Sequence, residues 1–242
     1  MRLNFNWKLT VFVVICLPIV IRLGFWQLDR AKQKEAIIAA QQSLMAEAAV
    51  ALEVLPAEQW QPFRNVGLRG TFGKAIFLVD NQMYKSQFGY EVVQPFSYGQ
   101  GQMILVSRGW VPGSLDRRQL PPITTPAGEQ QLQGYLYQPG KLIKLGETEQ
   151  QQGWPQVVPS ASVENMYKLL GKNDKISPHF LVRLAENSPA LFTAHWQLVN
   201  VLPERHIGYA VQWFLMAGLL VVLFIYASIR KTGADKEATP SE

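Results

Sequence analysis

The sequence has little cysteine, little histidine and little charge. Cys16 is the one cysteine and lies inside an apolar run, so a disulfide framework, a cysteine zinc cluster and CxxC redox chemistry are excluded within a single chain. There are three histidines, His179, His195 and His206, and no HExxH, GxSxG, Walker A or GxGxxG string, so the commonest enzyme sites lack their signature. Charged residues make up 17% of the 242, below the ~25% of ordinary soluble chains, while 48% are apolar. Such a balance excludes disordered and collagen-like chains and implies that part of the chain never meets water. The net charge of +5 is spread along the chain and predicts no nucleic-acid partner.

Two segments account for the missing charge. Ile207–Ile229 is 23 residues without a formal charge. At ~1.5 Å per residue it reaches ~34 Å, enough to cross a ~30 Å hydrocarbon core. Tyr209 and Tyr226 stand near its ends as interface aromatics, and Arg230 and Lys231 follow at once. Leu9–Leu28 is weaker: uncharged Leu9–Ile21 is followed by Arg22, with Trp7 and Trp26 about one bilayer apart. Pro18 can kink such a helix without breaking it in lipid. A cleaved signal peptide is the competing reading, with Arg2 and Lys8 as its basic region. The first small-x-small string, Ala46-Glu47-Ala48, lies too far downstream for cleavage, which favours an uncleaved anchor.

Two spans put both termini on one side. The expected organisation is a cytoplasmic N-terminus (1–8), a first transmembrane helix (9–28), a periplasmic domain (29–206), a second transmembrane helix (207–229) and a cytoplasmic tail (230–242), in an inner membrane. The Lys and Arg bias at the flanks is slight, but long loops cross largely regardless of charge. Residues 30–206 hold 17 Lys and Arg against 14 Asp and Glu.

Between the spans, residues 29–53 are rich in helix formers and extend the first helix. Beyond Pro56 the pattern turns to β. Strands are expected at Asn65–Phe72, Ala75–Asp80, Tyr90–Phe96, Met103–Trp110, Gln131–Tyr137, Phe180–Leu184 and Gln197–Leu202, with a hairpin at Ser97–Gly101. A helix is expected at Ala161–Leu170, capped by Ser160 or Ser162 and ended by Gly171, and a proline-rich loop at Pro112–Gly128. The fold class is therefore a membrane protein whose two terminal transmembrane helices flank an α+β, mainly antiparallel β, extramembrane domain, closed as a small barrel or left open.

The start of the second span holds the most chemistry. His206, Tyr209, Ala210 and Trp213 follow i, i+3, i+4, i+7 spacing and so share a helix face. A neutral imidazole there could ligate an iron while the aromatics stack on a flat macrocycle; the alternative is an interfacial belt with a histidine at the water line. In the first span Arg22 and Trp26 face one way, and Asp29 and Arg30 come a turn later. Arg22 or Arg30 either holds an acidic group such as a haem propionate or snorkels to the interface. Gln27 and Gln212 add polar contacts at the same level. In the domain, Trp110 belongs to the core or to the bilayer surface, Asp116-Arg117-Arg118 forms a solvated cluster, and His179 and His195 read as structural.

Four strings carry a resemblance: Leu23-Gly24-Phe25-Trp26-Gln27-Leu28-Asp29-Arg30 with Lys34 downstream, Gly89-Tyr90-Glu91-Val92-Val93-Gln94-Pro95, Leu105-Val106-Ser107-Arg108-Gly109-Trp110-Val111-Pro112, and Pro203-Glu204-Arg205-His206-Ile207-Gly208-Tyr209-Ala210-Val211-Gln212-Trp213-Phe214. In this order, with a span at each end, the chain resembles the Surfeit-locus family (Surfeit-one type) of cytochrome c oxidase assembly proteins. It departs at Ser107, where Asn is usual, and at Phe88, where Pro is commoner. The resemblance implies a non-enzymatic assembly factor that holds haem a transiently as cargo, with partners oxidase subunit I and haem a synthase. The family's second-span histidine falls on His206, which implies the iron ligand. Tyr209, Trp213, Gln212, Trp26, Arg22 and Arg30 are the residues expected around the cargo. A scaffold that binds oxidase subunits or the synthase without touching haem is the alternative. A sensor or a hydrolase lacks, respectively, an output domain and a recognisable nucleophile and base.

Overall fold

The computed structural model describes residues 6–140, 153–171, 179–196, 198–199 and 201–230. Arg2, Lys231, Lys236 and the expected tail beyond Arg230 lie outside the described residues. The chain divides into two compact units, Met1–Ala40 with Leu198–Glu242, and Gln41–Gln197.

The first unit is a helix pair. Helix α1 runs Trp7–Ala46 and carries Pro18 without ending there; at its C-terminal end it stops at Ala46, short of the expected residue 53. A further helix, α3, runs Pro203–Arg230. Both are long and apolar enough to cross a membrane. On α1 the less exposed positions recur at 13, 17, 20, 24, 27, 31, 34 and 38, and on α3 at 206, 210, 213, 217, 220 and 224. Steps of three and four residues are the seam of two antiparallel helices that wrap around each other. Small residues line it. Gly24 and Ala31 of α1 and Ala210 and Ala217 of α3 are buried, which lets the backbones approach closely. Phe25 and Phe214 meet edge to face, with ring centroids 5.3 Å apart. Gly24 is needed here, because a Cβ on it would lie 2.7 Å from the Phe214 ring.

The second unit is a β-barrel with an extension. Its strands are β1 (Val50–Ala51), β2 (Asn65–Phe72), β3 (Phe77–Tyr84), β4 (Gln87–Tyr98), β5 (Gln102–Pro112), β6 (Gln130–Tyr137), β7 (Gln156–Val158) and β8 (Leu181–Leu184). They pair in the order β1-β2-β6-β8-β5-β4-β3-β7, and β2 also pairs with β4. That last pairing, Gly70–Phe72 against Tyr98–Phe96, closes a ring of five strands, β2-β6-β8-β5-β4. Pairing is antiparallel except for β1–β2, β3–β7 and β5–β8. The barrel interior is filled by Val66, Leu68, Phe96, Ile104, Val106, Leu132, Leu136, Val182 and Leu184. Helix α2 (Val163–Leu169), capped by Ser162, covers an outer face with Val163, Met166 and Tyr167 over Phe77, Val93 and Leu105. Because both faces of β4 and β5 are covered, residues 89–96 and 104–111 are buried without a break rather than in alternation.

Six of the seven expected strands appear, Asn65–Phe72 with the same bounds and the other five with ends moved by a few residues. The seventh does not: the described residues of Gln197–Leu202 form no strand, while Gln197 and Asn200 lie outside the described residues. β1 and β7 were unreadable because two or three residues cannot establish a period. Trp110 takes the core role, 5% exposed, with Nε1 donating to the Gln82 carbonyl at 2.9 Å.

Candidate functional site

A polar contact crosses the seam of the helix pair. His206 Nδ1 stands 2.8 Å from Gln27 Oε1. An amide oxygen only accepts, so Nδ1 donates, and in the neutral ring Nε2 carries the lone pair. Nε2 is buried and has no hydrogen-bond partner. A buried acceptor without a partner costs about 1–3 kcal/mol unless something else meets it. A histidine with one ring nitrogen held by a hydrogen bond can present the other to a metal ion.

The neighbouring candidates divide by face. Trp213 is half-buried in the seam, together with His206 and Ala210. Tyr209 is 48% exposed and Gln212 is also exposed, so both turn outward despite their proximity in sequence. On α1, Arg22, Trp26 and Arg30 are all exposed. The Arg30 guanidinium lies over the Trp26 ring at 5.5 Å and donates to Gln33 Oε1 at 3.0 Å. At about 100° per residue, Arg30 is roughly 60° from Gln27 around α1, and Arg22 roughly 140°. Of the two arginines, Arg30 is nearer the seam.

The barrel holds two polar clusters of a different kind. In the first, Arg108 is 2% exposed. Its Nε donates to the Ala190 carbonyl at 2.8 Å, one terminal nitrogen to the Thr124 carbonyl at 3.0 Å, and the other to Gln94 Oε1. Phe192 and Phe72 flank the guanidinium at 4.4 and 5.1 Å. With no carboxylate beside it, burial lowers its pKa to about 10, and it stays charged at neutral pH. It ties the proline-rich loop and the segment after β8 to the barrel. The adjacent Gly109 sits at φ +93 in a bulge where β4 and β5 shift register, and a Cβ there would lie 2.6 Å from the Thr193 carbonyl.

In the second cluster, Glu91 is 3% exposed and its Oε1 accepts from Ser107 Oγ at 2.5 Å and from Trp196 Nε1 at 3.1 Å. Arg183 Nε stands 3.6 Å away, and its guanidinium lies 3.4 Å from the centre of the Tyr137 ring. His195 neighbours this group; burial holds its pKa below the ordinary imidazole value, an effect that Glu91 opposes and Arg183 reinforces. His179 is exposed. Sequence reading missed both clusters. The signal for the second was an acid, Glu91, in the middle of an otherwise uncharged strand. Among the described residues no three His, Cys, Asp or Glu side chains gather as a metal site.

With the geometry in hand, comparison with known proteins decides the family. The SURF1 family model matches residues 14–218, from within the first long helix to well inside the last. The chain belongs to the SURF1 family. Among its relatives, a SURF1-like protein of Rickettsia conorii is 27% identical over 249 residues, covering 94% of both chains. A SURF1-like protein of Rickettsia bellii is 28% identical over 233 residues, covering 90% of this chain and 88% of its own. One from Monosiga brevicollis is 24% identical over 246 residues, with 93% and 89% covered. The family match thus takes in both the helix seam and the barrel.

Proposed function

We propose that this SURF1 family member is a non-enzymatic assembly factor of haem–copper cytochrome c oxidase that carries haem a transiently as cargo. The single observation that supports the reading is His206, with Nδ1 held by Gln27 and Nε2 buried and free. In this reading Nε2 ligates the haem iron, and Trp213, in the same seam, offers a ring face to the macrocycle. Arg30, the arginine nearer the seam, holds a propionate. Tyr209 and Gln212 act from the rim, where their exposure lets them meet cargo or a receiving partner. One neutral histidine suits a carrier, since release then breaks a single protein–iron bond.

The setting that goes with this reading is an inner membrane, with both termini cytoplasmic and the barrel periplasmic. The partners are oxidase subunit I, which receives the haem, and the haem a synthase that supplies it. Optical spectra of the full-length protein purified from cells making haem a provide the test. The wild type is expected to show a haem a spectrum and His206→Ala to lose it. Equal haem occupancy and an identical spectrum in His206→Ala would overturn the ligand assignment. Co-purification of subunit I or the synthase from cells unable to make haem a, with no haem in the wild type under any supply, would favour the scaffold.

A further inference from the structure

Arg22 stands in the apolar part of the helix pair and forms no ion pair with any described residue. Gly24 meets Phe214 and Gln27 meets His206 across the seam. Arg22 therefore lies between the levels of Val211 and Met216, which at ~1.5 Å per residue is about 6–14 Å inside the charge-free run that begins at Ile207. It is exposed on the side of α1 away from the seam. Thirteen uncharged residues, Leu9–Ile21, separate it from the other end of the span.

The direction of the side chain works against snorkelling from this position. In a helix each Cα–Cβ bond tilts toward the N-terminus. For Arg22 that direction leads to Pro18 and Ile19, away from the aqueous boundary near Ile207. Arg30 demonstrates the same tilt by folding back over Trp26, four residues before it. Asp29 is seven residues further on, ~10 Å away and in the opposite direction from the tilt. A charge left in hydrocarbon costs at least about 2.5–3.5 kcal/mol, and such residues face a partner or a cavity.

We infer that the outward face of α1, formed by Ile15, Ile19 and Arg22, docks a transmembrane helix of another protein that carries an aspartate or glutamate within the hydrocarbon. Opposite charge selects the occupant: an acid on the partner helix neutralises the guanidinium and accepts its paired N–H groups. Ile15 and Ile19 are 57% and 53% exposed and supply the apolar packing on either side. The inference shares the two-span reading with the proposed function but not its haem chemistry. Arg22 lies on the other side of α1 from Gln27 and His206.

The test uses the full-length chain in its native membrane, with a photo-crosslinking amino acid at Ile19 and, as a control, at Leu219 on α3. Irradiation is expected to give from Ile19 an adduct whose peptide maps to a transmembrane helix within one turn of an Asp or Glu. Arg22→Leu should cut its yield about tenfold, the scale of the strongest intramembrane polar couplings, while Arg22→Lys largely keeps it. Neutralising the mapped acid should have the same effect as Arg22→Leu. Lipid adducts alone, an adduct on a helix with no acid, or a yield indifferent to Arg22→Leu would each overturn the inference. So would loss of bound haem in Arg22→Leu with the adduct retained, since Arg22 would then serve the cargo. Failure of the His206 spectrum with the Arg22-dependent adduct intact would sink only the haem reading.

Discussion

Gln27 Oε1 and His206 Nδ1 are 2.8 Å apart although 179 residues separate them in sequence. In the neutral ring the hydrogen bond puts the proton on Nδ1 and leaves Nε2 a buried lone pair. Replacing Gln27 with Leu removes the acceptor and frees the ring to rotate. Loss of such an outer partner typically costs about 10–100-fold in metal affinity. Titration of purified Gln27→Leu with haem a, followed at the Soret band, is expected to show a loss of that size; wild-type affinity would mean that the contact has no part in binding.

Gly24 sets the closeness of the helix pair. A larger side chain there meets the Phe214 ring, so Gly24→Leu should push the seam open at a cost of about 1–3 kcal/mol. Thermal unfolding in detergent should show the loss. Phe214→Ala, which makes room for the new side chain, should restore part of it in the double variant, giving a coupling that two independent sites would not show.

Arg108→Met would leave the carbonyls of Ala190 and Thr124 and the Gln94 side chain without their shared donor. Each orphaned buried acceptor costs about 1–3 kcal/mol, so the barrel should lose roughly 3 kcal/mol or more. Arg108→Lys should rescue little, because one ammonium cannot reach three acceptors held by a planar fork. Urea unfolding followed by tryptophan fluorescence distinguishes these outcomes.

Acid should loosen the barrel through His195. Burial keeps this ring neutral in the folded chain, while the unfolded ring titrates near its ordinary 6.5. Between the lowered folded value and 6.5 the unfolded state binds more protons, so this contribution is complete above pH ~6.5 and fades as the pH falls below it. Melting temperatures measured from pH 7.5 down to 5.5 should decline, and His195→Gln should flatten the decline. An unchanged slope in the variant would assign the acid sensitivity to other groups.

Much of the strand pattern was legible because the strands are long. Asn65–Phe72 has the same bounds in sequence and structure, and the Ser97–Gly101 turn joins β4 to β5 as its glycines indicate. β4 extends to Gln87–Tyr98 and β5 to Gln102–Pro112, because cross-strand pairing recruits residues with no strong preference of their own. Spacing alone puts His206, Tyr209, Ala210 and Trp213 on one helical face of the second span. Packing against α1 keeps positions 206, 210 and 213 inside and turns Tyr209 out, because a seam between two wrapped helices is narrower than the apolar face of one helix.

Composition and hydrophobic runs determined by themselves that two long apolar helices bracket a β-rich domain, since length, missing charge and period are local properties of the chain. Tertiary structure alone decided that three pairings between β2 and β4 close the barrel, that Glu91 and Arg108 find partners far away in sequence, and that Gln27 points at His206. Those facts depend on which segments meet, and the energy of such meetings is carried by pairs of residues that no local stretch contains together.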